Sequence, residues 1–255
     1  MNDMGPFRDH PLADARWIWP SGAHNPRNTF AQFRRDVRLD RAPRRAPLFI
    51  TADQSYQLWI NGRYVGRGPA RGFQASWAYD EYDAAPFLRR GANWISVRVY
   101  AGGISTFGYV FEWHAGLLLS ARFGRRRVAS GPDWLSRASP AYRADTVRMS
   151  TQTNLQEQFD AARDDGAWIA SPRPPRGWPR RADGQPATVA RPFGCPPWHA
   201  LEPRGIPHLT RESFPYARAV SVAAGPCARS HRDAPDAAVP IKEEVERLAW
   251  RRAPP

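Results

Sequence analysis

The chain has 255 residues, of which 42% are hydrophobic and 26 are proline, and its formal net charge is +13. This length allows one large β domain, or one domain with an appendage. The prolines argue against a mostly helical protein because proline breaks helix interiors. No apolar run reaches the length of a membrane span.

The positive charge comes almost entirely from arginine, since Lys242 is the one lysine. The arginines are scattered in short runs beside turn-like segments, whereas nucleic-acid-binding domains gather them on one face. Such use of arginine, with abundant Ala, Pro and Gly, is typical of a GC-rich genome. The composition therefore argues against a nucleic-acid partner and leaves a salt-sensitive nucleic-acid binder as a minor alternative.

The two cysteines, Cys195 and Cys227, lie in proline-rich sequence without CxxC spacing. Neither a disulfide framework nor a set of four zinc ligands is visible, and pairing between the two stays open. The first 19 residues contain no apolar run of the kind found in signal peptides. We expect a cytoplasmic protein, or a secreted one if the N-terminus is misassigned.

Short strands follow one another from Arg16, after a flexible leader at 1–15. Apolar and polar residues alternate at 17–20, 29–39, 46–53 and 56–68, which predicts strands because side chains alternate across a sheet. Asn61-Gly62 fits the type I′ turn of a hairpin, in which both residues have positive φ. Gly66, Gly91 and Asn93 are further structural turn residues.

The next stretch has a glycine- and aromatic-rich loop at 68–83 and a central strand at 93–103. We predict two more strands at 108–124, and a strand followed by a turn at 146–168. Many short strands separated by turn residues predict an all-β sandwich or jelly roll. The predicted boundaries are a β-sandwich at 16–190, a linker or the start of a second β region at 191–224, and a disordered tail at 225–255 with a short helix at 241–252.

Several of these segments, in order, carry a resemblance. They are ITADQSYQLWINGRYVGRGPARG, WAYDEYDAAPFLRRGANWISVRVYAGG, LQEQFDAARDDGAW and PWHALEPRGIPHLTRE. Together they resemble the N-terminal β-sandwich region of bacterial α-L-rhamnosidases, the family 78 glycoside hydrolases. The resemblance covers about residues 16–214. More distantly, the chain resembles the sugar-binding domain of β-galactosidase-type enzymes.

The resemblance implies a galactose-binding-like jelly-roll β-sandwich with an irregular, proline-rich C-terminal extension. In those enzymes catalysis belongs to an (α/α)6 barrel, which this sequence does not contain, and glycoside hydrolysis needs two opposed carboxyl groups. We therefore expect no catalytic residues and no activity from the chain alone. Glu157 and Asp160 match the family's segment, and for them we expect a strand-end or capping role.

The function implied is that of a non-catalytic carbohydrate-associated module from a truncated rhamnosidase-like chain, with a catalytic barrel as partner. The alternatives are a free-standing lectin-like protein and a remnant without activity. The ligand implied is carbohydrate, such as a rhamnose-containing glycan. Candidate contacts lie around the loop at 101–108: Arg71, Trp77, Tyr79, Ser105, Thr106, Tyr109 and Trp113. No cofactor is predicted. The resemblance leaves calcium open, because some rhamnosidase sandwiches bind rhamnose through calcium, but no ligand set is assignable in this sequence.

Overall fold

The computed structural model describes residues 9–20, 26–164, 166–173, 175–178, 181–182, 185–186 and 188–211. Met1–Pro207 form one compact unit and His208–Pro255 a second, of which the structure describes 208–211. The strands are β1 Arg16–Pro20, β2 Thr29–Leu39, β3 Pro47–Asp53, β4 Ser55–Ile60, β5 Arg63–Gly68, β6 Trp77–Asp83, β7 Gly91–Ala101, β8 Gly116–Phe123, β9 Arg126–Ala129, β10 Leu135–Ala138, β11 Arg181–Ala182, β12 Gln185–Pro186, β13 Thr188–Pro192 and β14 Leu201–Pro203.

These strands form two main sheets, so the described part of the chain is all-β. The larger sheet has the order β13-β1-β8-β3-β6-β14, with β9 also paired to β8. The smaller sheet has the order β10-β2-β7-β4-β5, and all its pairs are antiparallel. In the larger sheet β14 runs parallel to β6. Short strands β11 and β12 pair with each other.

One hydrophobic core joins the inner faces of the two sheets. Alternate residues of β7 (Ile95, Val97 and Val99) meet alternate residues of β8 such as Leu117 and Leu119, and all are buried. Each large apolar side chain buried in this way contributes roughly 1.5–3 kcal/mol relative to exposure. This packing makes the fold sandwich-like, while the jelly-roll connectivity stays a prediction.

The turn between β4 and β5 has the backbone that its sequence requires. Asn61 and Gly62 have φ angles of 53° and 78°, as a type I′ turn needs. The Asn61 amide also donates to Phe87 O and Asn93 Oδ1, at 2.8 Å each. Gly91, at the start of β7, has a φ of 92°, which favours glycine.

A Cβ on Gly66 would come 2.4 Å from the Tyr82 hydroxyl, so any side chain there would force the Tyr82 ring to shift. The same small residue lets β5 approach the ring of Tyr82 on β6, a strand of the other sheet. Gly66 therefore lies within strand β5 rather than in a turn as predicted, and its lack of a side chain favours this close packing between the sheets.

A layer of irregular chain covers the outer face of the smaller sheet. The short helix α1 (Ala167–Ala170) buries Trp168, whose carbonyl accepts hydrogen bonds from Arg34 and Ser96. Asp160 caps a preceding 3-10 turn by accepting from the backbone N of Ala162, so the capping role expected for it is confirmed. Glu157 is exposed.

Three segments differ from their predicted structure. Strand β6 lies within the segment 68–83, for which the sequence predicts a loop. The prediction misses the strand because its exposed and half-buried positions carry Tyr and Glu, so apolar and polar residues do not alternate simply. Region 108–124 contains one strand, β8, since Trp113 has a φ of 62° and residues 108–115 form a loop. Between 146 and 164 no strand forms; Tyr142 and Phe159 make only an isolated bridge.

The N-terminal end of the described chain packs against the larger sheet. Leu12 and Ala15, in the predicted leader, are buried together with Trp17. The predicted tail at 225–255, its helix at 241–252 and Cys227 lie outside the described residues, and Cys195 is a free cysteine. No helix in the described ranges has the length and hydrophobicity to cross a bilayer.

Candidate functional site

A cavity of about 710 Å³ opens at one end of the sandwich, and we call it the end cavity. It lies where β4 and β6 begin and where the loops after β5 and β7 meet a third loop, at 150–155. The described residues that line it are Gln54, Ser55, Pro69, Ala70, Arg71, Gly72, Trp77, Thr106, Phe107, Gly108, Tyr109, Gln152, Thr153 and Asn154.

The loop after β7 forms a tight turn at the mouth of this cavity. The backbone N of Thr106 donates to Tyr109 O at 2.8 Å, which leaves Phe107 and Gly108 at the tip. The Phe107 side chain is 88% exposed, the most exposed large apolar side chain in the described ranges. An exposed aromatic ring beside a polar cavity offers a flat apolar surface to a ligand.

Hydrogen bonds hold the three loops together. The Gln74 amide donates to Val110 O at 2.7 Å and so joins the loops after β5 and β7. The Arg148 guanidinium donates to Ser105 O at 3.0 Å and joins the third loop to them. The walls of the end cavity are therefore fixed by side chains that lie outside its lining.

Behind the wall, the buried carboxylate of Asp53 accepts three hydrogen bonds. The Tyr109 hydroxyl donates at 2.5 Å, the Trp198 indole at 2.8 Å and the Gln74 amide at 3.4 Å. Burial raises the pKa of Asp53 to about 6, although these three donors lower it. Burial next to Asp53 also raises the pKa of Tyr109 well above its ordinary value.

Four of the seven predicted contacts line the end cavity, namely Arg71, Trp77, Thr106 and Tyr109. The rings of Trp77 and Tyr109 are only 2% and 6% exposed, so we assign them to the wall rather than to a platform for a ligand. Ser105 lies behind the turn, where its hydroxyl accepts from the backbone N of Phe111 at 3.1 Å.

The other two predicted contacts lie elsewhere. Tyr79 packs edge-on against His10 and Phe49 on the larger sheet. Trp113 is 50% exposed and packs against Phe111. Neither belongs to the described lining of the end cavity.

Phe107 is an exposed residue of the end cavity that the sequence analysis does not name. The sequence feature that could have indicated its exposure is its position. An aromatic residue directly before Gly108, inside a glycine-rich loop, is placed at the tip of a turn. Alternation along strands, which identifies buried residues, carries no information about such a tip.

A second cavity, of about 600 Å³, lies against the outer side of the larger sheet, and we call it the face cavity. Charges of both signs line it, including Asp9, Arg45, Glu81, Arg122 and Arg127. Arg127 pairs with Asp14, with Nε and Oδ2 2.5 Å apart. This mixed, largely solvated surface offers fewer neutral donors and acceptors than the end cavity.

In the described ranges no group of three or more His, Cys, Asp and Glu side chains could hold a metal ion. The oxygens around the end cavity belong to amides and hydroxyls, which are suited to hydrogen bonds with a neutral polar ligand.

Comparison with known proteins adds the relatives of this fold. No protein-family model matches the chain. An α-L-rhamnosidase of Streptomyces avermitilis is 30% identical over 162 residues, which are 58% of this chain and 15% of the enzyme. A crystal structure of a GH78 family rhamnosidase of Bacillus sp. GL1 aligns with a TM-score of 0.63 at 34% identity, over 76% of this chain and 20% of that one.

This chain is partially similar to GH78 α-L-rhamnosidases. The rhamnosidase from Aspergillus terreus shares the fold at 21% identity, with a TM-score of 0.52 over 74% of this chain and 22% of that one. The chain spans about a fifth or less of the length of the two relatives at 30% identity or more. The similarity therefore describes a β module that resembles a small part of these enzymes.

Proposed function

We propose that this β module binds carbohydrate in the end cavity and serves as a non-catalytic part of an α-L-rhamnosidase-like glycoside hydrolase. The observation that carries the proposal is the exposed Phe107 ring at the mouth of a cavity lined by amides and hydroxyls. Aromatic faces pack against the C–H faces of sugars, while amides and hydroxyls exchange hydrogen bonds with sugar hydroxyls.

The partial similarity to rhamnosidases supports a carbohydrate ligand, and a rhamnose-containing glycan is the first candidate. The jelly-roll connectivity of the module and its position beside a catalytic (α/α)6 barrel belong to the same proposal. The buried carboxylates of the fold support the non-catalytic part. Asp53 accepts bonds from Tyr109 and Trp198, and Asp80 pairs with Arg204, so both are engaged in structural contacts.

Two aromatic substitutions test where the sugar binds. We expect Phe107→Ala to lower the affinity for a bound oligosaccharide about tenfold, since one exposed anchor ring supplies this order of binding energy. The measurement is calorimetry on the full chain, with ligands chosen from a glycan array that includes rhamnose-terminated oligosaccharides. Because Phe107 is mostly exposed, its removal should leave the melting temperature unchanged.

The matched control is Trp113→Ala, which removes an exposed aromatic ring outside the described lining of the end cavity and should keep full affinity. If Trp113→Ala lost binding and Phe107→Ala kept it, the proposal that the sugar binds in the end cavity would be contradicted. Absence of any glycan binding by the full chain would contradict the function.

The free-standing lectin-like alternative predicts a different result. It would be favoured by tight glycan binding of the isolated chain with no gain when a rhamnosidase barrel is added. Turnover of an aryl rhamnoside by the purified chain would contradict the non-catalytic assignment.

A further inference from the structure

The end cavity has an unbalanced charge. Among its described lining residues Arg71 is the one charged side chain, and none of them carries a carboxylate. Gln54, Gln152 and Asn154 supply amides, and Ser55, Thr106 and Thr153 supply hydroxyls. The described part of the lining therefore presents one positive charge, surrounded by neutral polar groups, to a ligand.

The Arg71 guanidinium lies against the turn that carries Phe107. A Cβ added to Gly108 would be 3.0 Å from Nη1 and 3.5 Å from Cζ of Arg71, so glycine at 108 lets the guanidinium approach the turn closely. The cation and the exposed ring thus lie at neighbouring positions of the same cavity mouth.

Within the described ranges, Arg71 lacks the acidic partner that several buried or half-buried arginines of the fold have. Arg34 pairs with Asp36, Arg98 with Asp164 and Arg204 with Asp80. For Arg71, the described residues provide no ion pair or hydrogen bond to the guanidinium. Its donors are available to an incoming group.

We infer that the carbohydrate bound in the end cavity carries a carboxylate, as a uronic acid does, and that Arg71 binds this group. The inference rests on the proposed function. A planar guanidinium matches a carboxylate with two parallel hydrogen bonds. A neutral sugar makes only the weaker, uncharged bonds, so Arg71 gives the site a preference for acidic sugars.

The test compares each acidic sugar with its own neutral form. The full chain is titrated by calorimetry with short oligosaccharides of galacturonate, glucuronate and mannuronate, and with the same oligosaccharides after reduction of their carboxyl groups. We expect at least one acidic oligosaccharide to bind about tenfold or more tightly than its reduced counterpart.

Arginine substitutions separate a specific contact from general attraction to a chain of net charge +13. Arg71→Met should abolish the preference for the acidic form. Arg38→Met removes the same charge from an exposed position of β2 and should keep the preference. Both side chains are exposed, so neither change should affect folding.

The outcomes distinguish this inference from the function on which it rests. Equal binding of acidic and reduced forms, or a preference that survives in Arg71→Met, would overturn the uronate inference alone, provided that Phe107→Ala still weakens binding. If no glycan, acidic or neutral, binds at a site sensitive to Phe107→Ala, both the inference and the proposed function fail. A preference lost equally in Arg71→Met and Arg38→Met would show non-specific charge attraction and overturn the inference.

Discussion

Asp53 joins the walls of the end cavity from behind, since its donors come from the loop after β5, the loop after β7 and the segment around Trp198. The sequence does not reveal this role, because Asp53 is the last residue of the predicted strand 46–53 and resembles any solvated residue at a strand end. Its importance comes from burial and from partners that are 21 to 145 residues away in sequence. Contacts at such separations are not visible to local patterns.

The raised pKa of Asp53 predicts a pH dependence of stability. The folded chain binds this proton more tightly than the unfolded chain, because the pKa is about 6 in the fold and 3.8 ordinarily. The stabilising effect is fully present below about pH 4 and is lost as pH rises through 6. It amounts to about 3 kcal/mol at most.

Urea unfolding of the wild type and of Asp53→Asn between pH 4 and pH 7 measures this effect. The free energy of unfolding of the wild type minus that of Asp53→Asn should fall as pH rises, since the variant lacks the titrating group. Other carboxylates contribute equally to both proteins. A difference that stays flat or rises with pH contradicts the role given to Asp53.

At the scale of elements, the sequence predicts those strands in which apolar and polar residues alternate regularly, and it misses shorter or irregular ones. Strand β2 matches its predicted bounds. The hairpin of β4 and β5 begins at Ser55, one residue before its predicted range of 56–68, and ends where predicted. Strand β14 has three residues and pairs in parallel with β6. So short a strand carries no alternation, and it is fixed instead by long-range contacts.

One of these contacts is the ion pair between Arg204, just after β14, and Asp80 on β6, whose side chains are 8% and 0% exposed. Tyr56 on β4 also donates its hydroxyl to Asp80. This ion pair gives a structural explanation for the residues LEPR, which belong to one of the segments that resemble the rhamnosidases. Their arginine, Arg204, pairs with the buried carboxylate of Asp80.

We expect Arg204→Met to lower the free energy of unfolding by roughly 3–5 kcal/mol, because it leaves Asp80 buried and unpaired. Adding Asp80→Asn should recover part of this loss, since the amide has no charge to leave unpaired. Denaturant unfolding measures both effects, with the exposed Arg67→Met on β5 as the control that removes the same charge. If Arg204→Met and Arg67→Met were equally mild, the ion pair would not hold β14 in place.

At the scale of the whole molecule, the sequence predicts the class of fold because alternation and turn chemistry repeat along the chain. It predicts the site only in part. Of the residues predicted as sugar contacts, Arg71 and Thr106 line the end cavity and Tyr79 lies elsewhere, whereas the exposure of Phe107 comes from the conformation of a loop. The shape of a cavity made by three loops depends on how those loops pack together. Local sequence patterns do not predict this packing, because the loops are far apart in the sequence.

The most direct test of carbohydrate binding in the end cavity is an NMR titration of the ¹⁵N-labelled full chain with its best oligosaccharide ligand. The measured quantity is the change in chemical shift of each backbone amide. We predict that the largest shifts lie at residues 70–72, 106–109 and 152–154, which come together only in this cavity. Shifts confined to the surroundings of the face cavity, such as His10, Phe49 and Ala121, would contradict the account.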